Sequence, residues 1–172
     1  MDAIVKPIEN ALAPIFKELP ALPPNVKKAL VKYWPIIALV LGVLQLVAVL
    51  SLWNLGHAAT NVANQIYMAA GASPIAPALS AFYYLGLGSL LIDGLLLLMA
   101  YAPLKARLKR GWDLLFLATL VNLLYGALLL FDGYYGGFMH LISALVGSAI
   151  AWYFLFQIRE SYVGSASSKS QK

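Results

Sequence analysis

The sequence predicts an all-α integral membrane protein: a bundle of four transmembrane helices, N-in and C-in, preceded by an amphipathic interfacial N-terminal segment. Three observations carry that prediction. The first is composition. Of 172 residues, 62% are hydrophobic and 11% charged, with a mean hydropathy of +0.79. A water-soluble domain of this length could not cover so much apolar surface with so few charges. The second is segmentation. Four runs, residues 34–55, 81–101, 112–131 and 138–158, each reach the roughly 20 predominantly apolar residues that cross a bilayer. Their unbroken Leu, Ala and Val stretches lack the alternating polarity of barrel strands, so each is expected to close its own backbone hydrogen bonds as a helix.

The third observation is where the charge lies. Twelve Lys and Arg against seven Asp and Glu leave a net +5. The five cations Lys6, Lys17, Lys27, Lys28 and Lys32 precede the first run. Lys105, Arg107, Lys109 and Arg110 fill the loop between the second and third runs, and Arg159, Lys169 and Lys172 follow the fourth. The other two loops hold none. The positive-inside rule therefore places both termini and the central loop in the cytoplasm of a multi-pass plasma-membrane protein. Lys27, Lys28, Lys32, Lys105, Arg107, Lys109 and Arg110 are the expected contacts to anionic lipid head groups, and nucleic acid is not an expected partner.

Residues 1–33 are too charged to span. Ile4, Ile8, Leu12, Ile15 and Leu19 recur at helical spacing while Lys6, Glu9, Asn10, Lys17 and Glu18 fall on other faces, the pattern of a helix lying in the interface. Pro7 and Pro14 predict two short pieces rather than one rod. The order of charged and apolar residues is not that of a cleavable signal peptide. Residues 34–160 form the transmembrane domain. After the first run, Asn54, His57, Asn61 and Asn64 step by three and four without a proline, so that helix is expected either to continue outside or to bend along the surface. Gly71 followed by Pro74 marks its end. Residues up to Ser80 read as an external loop, residues 132–137 as a tight aromatic external turn, and the Ser-rich residues 161–172 as a disordered tail.

Each run carries a polar residue near its middle: Gln45, Asp93, Asn122 and Ser148. Counted from the basic end of each run, all four lie about 12–17 Å deep at 1.5 Å per residue. Stepping by helical spacing from these residues meets small or polar neighbours. They are Ala38, Gly42 and Ala48 beside Gln45, and Gly86, Ser89 and Ala100 beside Asp93. Beside Asn122 lie Ala118, Thr119, Tyr125 and Gly126, and beside Ser148 lie Ala144, Ala151 and, one turn further out, His140 or Leu141. Such faces let membrane helices pack closely, so the four are expected to point inward as one polar layer. Asp93 is the costly member. An Asp at the centre of a span opposes insertion by roughly 2.5–3.5 kcal/mol, which makes it a functional-site candidate by default.

Catalytic and cofactor signals are thin. The chain has no cysteine, which removes disulfides, thiolate nucleophiles and thiolate metal sites. No phosphate loop, nucleophile elbow or zinc-protease motif occurs, so neither an enzyme nor a bound cofactor is expected. The leading expectation is an accessory or interaction subunit whose partners are lipid and either a second copy or another membrane protein. The rival is an oligomeric ion- or proton-coupled solute transporter or channel using Asp93. A third and weaker reading is a metal or haem site at His57 and His140.

Overall fold

The computed structural model describes residues 2–73, 79–132 and 137–167, with side chains described from residue 5 to residue 163 of those ranges. The expected external loop and external turn therefore fall partly outside the described residues, at 74–78 and 133–136, as does the end of the tail at 168–172. Every described element is helical. α1 is Asp2–Lys17, α2 Pro24–Ala69, α3 Ala81–Lys105, α4 Lys109–Leu128 with a 3-10 turn at Leu129–Phe131, α5 Phe138–Ile158 and α6 Glu160–Ser167. Helices α2 to α5 are each long and apolar enough to cross a membrane.

Each long helix packs mainly on the next one along the chain, and α2 barely touches α5. The result is a row rather than a closed bundle. Its turns follow from local sequence. Pro24 opens α2 at the first helical position, where a missing N–H costs nothing. Gly71, at φ +73, closes it, with Ala72 N–H donating to the Tyr67 carbonyl at 2.9 Å. Ser80 caps α3 by accepting from Tyr83 N–H at 3.1 Å. The basic loop shrinks to residues 106–108, with Arg107 in the left-handed region at φ 53.

The packed core lies at the basic end, the end that carries this turn. Trp112, Phe116, Trp152, Phe156 and Phe16 form an aromatic cluster. Phe16 stacks on Phe156 at 5.1 Å and Trp112 on Phe116 at 5.2 Å. Both buried indoles also donate: Trp112 Nε1 to the Leu155 carbonyl at 2.7 Å, and Trp152 Nε1 to Thr119 Oγ1 at 2.6 Å. A buried Trp with its N–H satisfied adds direction to its apolar area. These two bonds fix the rotation of α5 against α4.

Two expectations need correction, and one of two open alternatives is met. First, α1 is one continuous helix despite Pro7 and Pro14. Packing holds it together, because Val5, Glu9 and Phe16 are buried against the spans while Ile15 and Leu19 of the expected apolar stripe are exposed. Helix α2 meets the alternative of continuing past residue 55 rather than bending along the surface. It runs for 46 residues, about 69 Å at 1.5 Å per residue. The second correction is that residues 161–167 are not disordered but lie in α6, where Tyr162 is wholly buried. Burial pushes the Tyr162 phenol up to about 12.

Candidate functional site

The polar groups at mid-height are brought together in two halves. Between α2 and α3, Gln45 Nε2 donates to Asp93 Oδ2 at 2.5 Å, and Asp93 is only 4% exposed. The approach is possible because Gly42 and Gly94 face each other across the pair. A Cβ added to Gly42 would sit 2.9 Å from the Gly94 carbonyl oxygen. Backbones this close are what small residues permit in membrane helices. Asn122, from α4, is the other polar side chain that acts on this carboxyl. Its Nδ2 also donates to the Ala118 carbonyl at 3.3 Å.

The second half is a cavity of ≈ 380 Å³ between α4 and α5, open to the side of the row. Asn122, Tyr125, His140 and Ser148 give it polar walls, and Gly126, Ala144 and Gly147 give it room. Ser148 is buried, whereas the Asn122 side chain is exposed. Asn122 thus has one side on the cavity and another on Asp93. Ser89 lies apart, with Tyr125, in an apolar groove of ≈ 640 Å³ between α3 and α4. The four residues expected to form one layer therefore do not converge on one centre. The open row keeps Gln45 and Ser148 on different seams.

Two oxygens at the first half lack partners. Asp93 Oδ1 and Gln45 Oε1 are sequestered with no hydrogen bond, although their own groups are joined by the 2.5 Å bond. Buried polar atoms of this kind cost roughly 1–3 kcal/mol each and call for an explanation.

A second polar cluster at the basic end was not legible as a site. Glu9, 2% exposed, accepts from Lys109 Nζ at 3.2 Å and from Arg159 at 2.5–2.6 Å. Lys109 also meets Asp113 at 2.6 Å. Lys109, expected among the lipid-facing cations, is thus engaged inside the fold. Of the others, Lys105 sits over the Tyr101 ring at 5.9 Å and Lys32 over Tyr33 at 5.2 Å. Lys27 borders a small cleft beside α1, and Lys28, Lys105 and Arg110 are exposed. The two His candidates have different neighbours. His57 Nδ1 bonds the Trp53 carbonyl of its own helix at 2.8 Å, whereas His140 lines the cavity. Among the described residues no cluster of three metal-ligating side chains occurs. In comparisons with known proteins, no family model, no curated protein and no solved structure matches this chain.

Proposed function

We propose that the chain is a small plasma-membrane protein with cytoplasmic termini that acts without catalysis, as an accessory or interaction subunit. One observation carries this reading. The Asn122 side chain is exposed, and the polar cavity beside it runs from the middle of α4 and α5 to their far ends. Hydrocarbon offers such groups no hydrogen bonds, and the usual solution in a membrane is the side chain or backbone of another helix. A partner seated against α4 and α5 would cover the exposed Asn122 side chain, whose Nδ2 already donates to the Ala118 carbonyl, and the polar cavity wall beside it. The test is photo-crosslinking in native membranes from a reactive residue at Asn122 or Gly147, with lipid-facing Ile37 as control. A discrete adduct from the first two positions supports the reading, and lipid adducts alone at all three reject it.

The rival, a proton- or cation-coupled transporter, is favoured by a different observation: the unpartnered oxygens of Asp93 and Gln45 one Asn side chain away from a cavity. It requires flux that depends on the carboxylate. Asp93→Asn keeps the shape and an acceptor oxygen while removing the ionisable group, so it separates binding chemistry from packing.

A further inference from the structure

The end of α2 has no role in either reading. At Leu52 and Gly56 it meets the start of α3: Tyr83 donates its hydroxyl to the Leu52 carbonyl and packs on Gly56 with Leu79. Beyond Gly56 the helix runs on to Ala69, roughly 20 Å at 1.5 Å per residue, past the ends of its neighbours. One face of this extension, Thr60, Ala63 and Asn64, is partly covered. A second face carries Asn54, His57, Asn61 and Gln65.

The third face is apolar and bare. Leu52, Leu55, Ala59, Val62, Ile66 and Ala69 follow one another at spacings of 3, 4, 3, 4 and 3, the a/d repeat of a coiled coil. Leu55 is 65%, Val62 55% and Ile66 64% exposed. Ile66 at a and Leu55 at d follow the pairing that favours two parallel strands, whereas Leu52 at a and Val62 at d reverse it, so the parallel orientation comes from the shared membrane and not from residue choice. No Asp, Glu, Lys or Arg occurs between Tyr33 and Asp93, so nothing repels an identical helix and nothing marks a charged partner.

We infer that the extension of α2 pairs with the same segment of a second copy as a short parallel coiled coil. Copies inserted in one membrane all point the same way, which gives the parallel orientation that this stripe needs to meet itself about a two-fold axis. The stripe covers fewer than three heptads, too few for free peptides to pair stably. Confinement to one membrane raises the effective concentration enough to offset this. The inference uses a surface remote from the cavity between α4 and α5 and does not rest on the accessory reading.

The chain has no cysteine, so single cysteines report cleanly. Leu55→Cys, Val62→Cys and Ile66→Cys, oxidised in native membranes, are expected to give disulfide dimers about tenfold more abundant than Asn54→Cys, Asn61→Cys or Gln65→Cys. Adding Val62→Glu and Ile66→Glu to the Leu55→Cys chain should abolish them while tryptophan fluorescence of the bundle stays unchanged. Equal cross-linking on both faces, or none on the stripe, overturns the proposal.

Discussion

The two ends of the same four helices are built on different principles. At the basic end, α1 and α6 close over α4 and α5, five aromatic rings fill the interior, and Glu9 is enclosed by Lys109 and Arg159. At the far end the helices expose Phe131, Phe138 and Met139, a polar cavity opens between α4 and α5, and α2 runs on alone. Buried packing and ion pairs are concentrated at the basic end. The far half offers surfaces instead, and polar or heptad-patterned surfaces are where partners are expected.

Trp112→Ala tests the closed end most severely. It removes a wholly buried ring and the bond to Leu155, and should destabilise by about 3–5 kcal/mol, measured by unfolding in detergent micelles. Glu9→Ala comes next. It leaves Lys109 and Arg159 facing each other, but these are 28% and 33% exposed, so solvent limits the loss to about 2–3 kcal/mol. Early proteolysis of α1 should report it. Retention of α1 after this change would show that its docking is apolar alone.

Asp93 lies between the two regions. Asp93→Leu strands the Gln45 amide and should cost about 1–3 kcal/mol, whereas Asp93→Asn should cost less, with unfolding as the readout. Tyr162 gives a pH-dependent variant. Its ionisation is raised to about 12 in the fold, so its contribution is complete below the ordinary phenol value of about 10 and is lost as pH rises through 12. Protease access to α6 should therefore increase in that window, and Tyr162→Phe should remove the dependence. The smallest effect is expected at the far end, where Ile66→Ala should leave bundle unfolding within about 0.5 kcal/mol.

The sequence foretold the long helices well because hydropathy and cation placement largely decide which segments cross a membrane, and both are local. The face assignments around Asn122 and Ser148 also recur in the cavity walls, since helical spacing alone decides which residues share a side. Glu9 was assigned to a polar face for the opposite reason: its two cations lie 100 and 150 residues away, and no local pattern announces them. The signal that was there is the spacing of Val5, Leu12 and Phe16 with Glu9 among them, one position off the Ile4–Ile8 stripe. Tyr162 was hidden by its Ser-rich surroundings. The shared depth of four polar residues could not reveal that the helices form a row, because depth says nothing about which helix neighbours which.

Flux through the purified protein in liposomes is the most direct test of the accessory reading. Proton and monovalent-cation permeability is compared among native protein, Asp93→Asn and protein-free vesicles. The accessory reading predicts the same permeability in all three. A flux that the native protein supports and Asp93→Asn abolishes would contradict it and establish Asp93 as the carrier group.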